Sequence, residues 1–190
     1  MKLMNKYLLL ILLGSVTLNV AAAKWNIGVL TDSVSVSIDG NVSAGDKYRI
    51  LFNPKSDNPC ELITQVTTFY SVVKNADKKF SNLPSQYVLA QVKKGSKQEK
   101  FIMAIESTSN FIAGKRTLFT VSTNTVEQFL DFHKDNETIE IELLSFYDLK
   151  NQKRVNKNIT DYFDIPKNSW SLDGVDKSLN KAKSECKKLK

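Results

Sequence analysis

Residues 138–147 read TIEIELLSFY, and this stretch decides the fold class. Ile139, Ile141 and Leu143 alternate with glutamates over its first half. Successive side chains of a β-strand point to opposite faces of a sheet, so this alternation predicts a strand with one buried and one hydrated face. One hydrated face is typical of antiparallel sheets.

The same two-residue periodicity recurs on the N-terminal side of this strand. Asp39-Gly40 follows one alternating segment and predicts a hairpin with a bulge or a long loop, and Lys93 to Lys97 (KKGSK) predicts a second hairpin with a charged tip. We predict seven to nine strands in all. Besides residues 138–147, the clearest segments are 34–38, 47–52, 61–73, 86–92, 100–105 and 116–121.

Two segments have helical periodicity instead. In Asn124 to Lys134 the apolar residues recur at helical spacing, and the Asn124-x-x-Glu127 pattern is typical of a helix start. Ser171 to Leu189 carries the most regular apolar stripe of the chain. We therefore predict a mainly β protein: an antiparallel β-sandwich or curved sheet with one inserted helix and a C-terminal helix. Lys150 to Lys157 is expected to be a long exposed loop.

The first residues of the chain resemble a secretory signal. Lys2 and Lys6 precede the apolar run LLLILL, and Ala21 to Ala23 end the segment with small residues. We expect cleavage after Ala23, with an uncleaved membrane anchor or a buried helix as alternatives. The predicted organisation is a signal peptide at 1–23 and a single β-rich domain at 24–190, exported to the periplasm or secreted.

The chain is basic and has few cysteines. Its 27 Lys and Arg residues against 20 Asp and Glu residues give a net charge of +7. Cys60 and Cys186 are its only cysteines, and an even count in an exported chain predicts a disulfide between them. Cys186 lies on the apolar stripe of the last helix, so the alternative is a small buried apolar residue.

No catalytic, metal or cofactor signature is present, so we expect no enzyme and no cofactor. His133 is the only histidine, and its place at a helix end is explained by the helix dipole. Asp32, Asp39, Asp161 and Asp164 could supply a carboxylate pair for a hydrolase, but turns and loops explain them better.

Lysines gather in two segments of the sequence. Such clusters suit an anionic partner, or simply a soluble hairpin tip and helix end. The scarcity of Arg and of interleaved aromatic residues argues against nucleic acid. The candidate residues for an anionic partner are Lys93, Lys94, Lys97, Lys100, Lys183, Lys187 and Lys188.

The C-terminal segment from Ser169 to Cys186 reads SWSLDGVDKSLNKAKSEC. Through Leu172, Gly174 and Leu179, together with Ala182 and Cys186, it resembles the ending of small periplasmic β-sandwich proteins of the invasion-associated locus B type. The central cysteine pair of that family is missing here. The resemblance implies a periplasmic location and a β-sandwich fold, and it implies no catalytic residues. The Lys-, Asn- and Ile-rich composition and the compact signal indicate a bacterial or phage-encoded protein.

The function that these features favour is binding without catalysis. We expect a periplasmic or secreted protein that binds an envelope protein or an anionic envelope component, without stable insertion into the membrane. The alternatives are a cell-wall or glycan hydrolase that uses carboxylates, and a structural or adhesive subunit that polymerises through sheet edges. Three N-x-[ST] triplets, at Asn41, Asn136 and Asn158, leave the host open.

Overall fold

The computed structural model describes residues 24–30, 32–43, 45–55 and 58–189. The predicted signal peptide, residues 1–23, lies outside the described residues. The described residues form ten strands, three α-helices and one short 3₁₀ helix. They are β1 (Asn26–Leu30), β2 (Ser33–Asp39), β3 (Lys47–Phe52), β4 (Leu62–Ser71), α1 (Ala76–Ser81), β5 (Tyr87–Lys94), β6 (Lys97–Phe111), β7 (Gly114–Thr125), α2 (Val126–His133), β8 (Thr138–Asp148), β9 (Lys153–Arg154), the 3₁₀ helix (Ile159–Asp161), β10 (Lys167–Ser171) and α3 (Val175–Lys187).

The strands form one antiparallel sheet in the order β1-β2-β3-β4-β7-β6-β5-β8-β10, with β9 paired to β8. Helix α2 is inserted before β8 and α3 is C-terminal. The predicted fold class is therefore confirmed, as a curved sheet. Helix α3 packs against β1, β2 and β3 and buries its apolar stripe there.

The sheet curves so strongly that its last strand, β10, reaches the β2–β3 loop. The backbone N–H of Asn41 donates to the carbonyl of Ser169 at 2.9 Å. The ring of Trp170 lies 5.4 Å from Tyr48 and 6.1 Å from Phe69, centroid to centroid. These contacts pack aromatic side chains of β3, β4 and β10 against one another in the core.

Both predicted hairpins are present. The β2–β3 connection spans residues 40–46, so of the two alternatives at Asp39-Gly40, a bulge or a long loop, the long loop is present. The β5–β6 turn lies at Gly95 and Ser96. Strands β6 and β7 extend well beyond the predicted segments. Their polar, Thr- and Ser-rich ends lack the apolar alternation on which the prediction relied.

The predicted helix boundaries need correction. The N-cap of α2 is Thr125 rather than Asn124: its hydroxyl accepts from the N–H of Gln128 at 3.2 Å, and Gln128 Oε1 accepts from the N–H of Thr125 at 2.9 Å. Ser171 ends β10 instead of starting the last helix. Helix α3 begins only after Gly174, whose φ of +71° is outside the helical region.

Several elements were not predicted. They are β1, α1, β9, the 3₁₀ helix and β10. Strand β10 reads KNSWS, and only its alternate residues Asn168 and Trp170 are buried, so its apolar signal is a single side chain. The expected loop at 150–157 is mostly exposed but contains β9.

Candidate functional site

The structure places the predicted lysines in two groups. Lys93, Lys94, Lys97 and Lys100 lie on the exposed β5–β6 hairpin, and the remainder lie at the C-terminal end of α3, with Lys188 as its C-cap. Helix α2 lies between the groups, because Glu127 near its start is 3.8 Å from Lys183 and Phe132 near its end lies under Lys94.

The α3 lysines are engaged in ion pairs. Glu61 lies 2.6 Å from Lys183 and 3.2 Å from Lys187, and Glu185 lies 2.8 Å from Lys188. Hydrogen bonds from Lys183 and Lys187 hold the pKa of Glu61 below its usual value. Lys183 and Lys187 therefore join α3 to the chain just before β4, and the charges of all three lysines are partly neutralised by these ion pairs.

On the hairpin, only Lys94 is held by other side chains. Its ammonium lies 3.6 Å from Glu99 and 4.8 Å from the ring centre of Phe132. Lys93, Lys97 and Lys100, here called the hairpin lysines, are exposed and form no ion pair within the described ranges. They are the free positive charge of this surface.

The hairpin borders a split in the sheet. Pairing between β6 and β7 runs from Phe111↔Gly114 to Ala104↔Thr120 and goes no further. Beyond that point, residues 97–103 pair only with β5 and residues 122–125 pair only with β4. A register shift between Ile105 and Ser107 lies next to the place where the strands part.

A cavity of about 280 Å³ opens at this split. Apolar residues make most of its lining: Val92, Phe101, Ile102, Val121, Phe129, Phe132, Ile139 and Ile141. Glu99 and Lys100 line it too, which connects the cavity to the charged hairpin. Mostly apolar walls with a few polar groups are the usual composition of a binding pocket.

A hydrogen-bonded group of polar side chains also lines the cavity. Tyr48 donates its hydroxyl proton to Gln65 Oε1, and Gln65 Nε2 donates to Ser122 Oγ at 2.7 Å and to Asn124 Oδ1 at 2.8 Å. Gln65 therefore has its polar atoms satisfied by the protein. The arrangement fixes the β3, β4 and β7 sides of the cavity relative to one another.

His133 lies in the cavity wall and is buried between Phe129 and Phe132, with ring centroids 4.8 Å away in each case. Burial, and then the charge of Lys94, lower its pKa from 6.5 to about 4. The imidazole is neutral at pH 7, so the interaction with the helix dipole that we expected does not explain its position. Packing in the cavity wall does.

Three of the four carboxylates considered for hydrolysis have structural partners. Asp32 pairs with Lys55, Asp39 lies 3.0 Å from Lys47, and Asp164 accepts from the N–H of Val72 at 3.0 Å. Within the described residues, no cluster of His, Cys, Asp and Glu could hold a metal ion.

One buried carboxylate, that of Asp46, was not identified from the sequence. Asp46 is fully buried in the β2–β3 loop and accepts hydrogen bonds from the amide of Asn168 at 2.6 Å and from the N–H of Tyr70. Burial raises its pKa from 3.8 to about 6. Through its hydrogen bond with Asn168, Asp46 links the β2–β3 loop to β10. Hydrophobic periodicity in the sequence does not identify a residue with this role.

The predicted disulfide is confirmed. Cys60 and Cys186 are bonded, with their Cα atoms 5.8 Å apart, and both are fully buried. The bond ties the last turn of α3 to the chain just before β4.

Comparisons of the chain with protein-family models, with curated proteins and with solved structures found no match. Among the helices of the described ranges, none is long and apolar enough to cross a membrane.

Proposed function

We propose that the chain is an exported, non-enzymatic protein that binds an anionic partner in the bacterial envelope. One observation supports this above all: the hairpin lysines are exposed and unpaired in the described chain, and they border a cavity that opens through a split in the sheet. The disulfide supports export, because disulfides persist mainly in oxidising compartments. The signal-like residues 1–23 and the resemblance of Ser169 to Cys186 to periplasmic β-sandwich proteins point to the same compartment.

Binding without catalysis fits the site better than hydrolysis. The neutral His133 is packed between aromatic rings, and the candidate carboxylates Asp39 and Asp164 are engaged elsewhere. An anionic partner would meet flexible lysines at the rim of an apolar cavity, an arrangement that attracts charge and buries apolar surface.

Replacing the hairpin lysines by Ser tests this function. We expect the variant of Lys93, Lys97 and Lys100 to bind poly-glutamate about tenfold more weakly than the wild type, since exposed ion pairs contribute about 0.5 kcal/mol each. Wild-type affinity should also fall as salt rises to about 0.15 M, where charges are screened within ~8 Å. Titration with fluorescently labelled polymer measures both effects.

A matched control removes the same charge elsewhere. Lys150, Lys153 and Lys157 are exposed on the loop around β9 and can be replaced by Ser together. We expect this control to keep most of the wild-type affinity. Equal losses in the two variants, or an affinity insensitive to salt, would overturn the proposal.

A further inference from the structure

The backbone of β6 has a free edge at the split. A two-residue turn joins β5 to β6, so Lys94 and Lys97 form the hydrogen-bonded pair that closes the hairpin. Hydrogen-bonded and non-hydrogen-bonded pairs alternate along an antiparallel ladder. Gln98, Lys100 and Ile102 therefore point their N–H and C=O groups away from β5, towards the split.

A hydrogen bond further along β6 supports this assignment of which residues direct their backbone groups towards β5. The N–H of Ile105 donates towards β5, to the carbonyl of Gln86 at 2.8 Å, and Ala104 pairs with β7. Odd-numbered residues thus bond on the β5 side and even-numbered residues on the β7 side. Ala104 is the last residue of β6 that pairs with β7, and residues 97–103 have no pairing partner in β7.

This free edge is accessible. Gln98 and Lys100 are exposed and Ile102 is 37% exposed. Within the described chain their backbone groups have no hydrogen-bond partner on the side of the split. Open backbone groups of this kind accept an additional strand.

The side chains of β6 show which residues an added strand would carry. Successive side chains of β6 alternate between its two faces, so Phe101 lies on the inner face with the buried Met103, whereas Lys100 and Ile102 border the cavity from the opposite face at the open edge. Side chains of an added strand would alternate in the same way. One set would lie on the face of Lys93 and Lys100, and the other would lie on the face of Lys97 and Phe101 and point into the cavity.

The volume of the cavity limits the size of the side chain that an added strand could place in it. Its volume of about 280 Å³ is roughly twice the ~150 Å³ of an apolar cavity that holds benzene. It therefore has room for an aromatic or large aliphatic side chain. A lipid chain could enter it as well, but a lipid chain has no N–H or C=O groups in series to pair with Gln98, Lys100 and Ile102.

We propose that the split binds an extended, acidic peptide segment of an envelope protein as an additional strand on β6, with one large apolar side chain in the cavity. This rests on the proposed function, because Lys97 and Lys100 belong to both surfaces. It adds the class of partner and the mode of recognition: backbone pairing for affinity, and the cavity and the lysines for specificity.

The first test uses a synthetic peptide that alternates Glu and Val around a central Phe. We expect it to bind the purified protein in a fluorescence polarisation assay. Replacing Phe by Ala, or methylating the backbone nitrogens that face β6, should each weaken binding at least tenfold on unchanged wild-type protein. Methylation at the nitrogens that face away from β6 is the matched control and should have little effect.

The second test compares Lys100→Pro with Lys100→Ala. Both variants lose the charge, but only Pro loses the N–H that faces the split, and the β5 ladder does not use that N–H. We expect Lys100→Pro to bind the peptide at least tenfold more weakly than Lys100→Ala. If Pro disturbs the fold, as circular dichroism would show, the methylated peptides still decide the question.

The outcomes separate this inference from the proposed function. If both Lys100 variants and both methylated peptides bind equally, while loss of the hairpin lysines still weakens binding, the anionic site stands and strand addition is wrong. If peptide binding survives loss of the hairpin lysines, the proposed function fails. Binding of phosphatidylglycerol vesicles without binding of any peptide would also overturn strand addition.

Discussion

Ile112, at the tip of the β6–β7 hairpin, is 89% exposed and has a φ of +51°. The left-handed region costs an L-residue about 1–2 kcal/mol, and a β-branched residue there is an outlier. We expect Ile112→Gly to raise the free energy of unfolding by about 0.5–1 kcal/mol, because the relief of strain exceeds the added entropy of Gly in the unfolded chain. Urea denaturation followed by tryptophan fluorescence measures the change.

Gly114, in the same turn, provides the opposite control. A Cβ atom at this position would lie 2.1 Å from the carbonyl oxygen of Ser71, so Gly114→Ala forces the backbone to move. We expect a loss of about 2 kcal/mol or more. Two substitutions two residues apart should therefore move the urea midpoint in opposite directions. A midpoint that falls for Ile112→Gly would contradict the account of strain.

At the scale of elements, α3 depends on its disulfide. Closing a loop over a sequence separation of 126 residues contributes on the order of 4–5 kcal/mol in the chain-entropy model. We expect Cys186→Ser to lower the stability by a similar amount and to make the lysines of α3 sensitive to trypsin. Limited proteolysis with mass spectrometry identifies the cut sites.

Ser184→Ala, at an exposed position of the same helix, is the matched control and should stay resistant. Reduction of the wild type by dithiothreitol should reproduce the behaviour of Cys186→Ser. If trypsin cuts the two variants equally, α3 does not depend on the disulfide and the prediction is wrong.

The sequence was informative where an element has its own periodicity. Strand β8, helix α3 and the pairing of Cys186 were predictable, because alternation, a regular stripe and a single possible pairing are local or countable signals. Strand β10 was not predictable, since it depends on Trp170 packing against residues distant in sequence.

The site was less predictable than the fold. The hairpin lysines were visible as a cluster in the sequence, but the split depends on where two strands stop pairing. Residues 97–103 and 122–125 look like ordinary strand residues, and only the ladder between β6 and β7 shows that they part. Likewise, nothing in the sequence around Asp46 indicates that this carboxylate is buried by the curved sheet.

At the scale of the whole molecule, a buried group in the β2–β3 loop and another at the end of α2 have opposite effects on how stability depends on pH. Asp46 has its pKa raised from 3.8 to about 6, chiefly by burial and further by nearby Asp164. Between these values the native state binds more protons than the unfolded state, so stability falls as pH rises. His133 has its pKa lowered from 6.5 to about 4, so its contribution to stability rises with pH.

We therefore expect the contributions of Asp46 and His133 to oppose each other between about pH 4 and pH 6. The contribution of each group to the free energy of unfolding changes by about 1.4 kcal/mol per pH unit, which is about 3 kcal/mol per group across this window. Relative to wild type, His133→Gln should lose stability progressively as pH rises through this window, whereas Asp46→Asn should gain it. Measuring each variant as a difference from wild type removes the shared titration of surface carboxylates. Urea titrations at half-unit pH steps give the curves, and two difference curves of the same sign would refute the opposition.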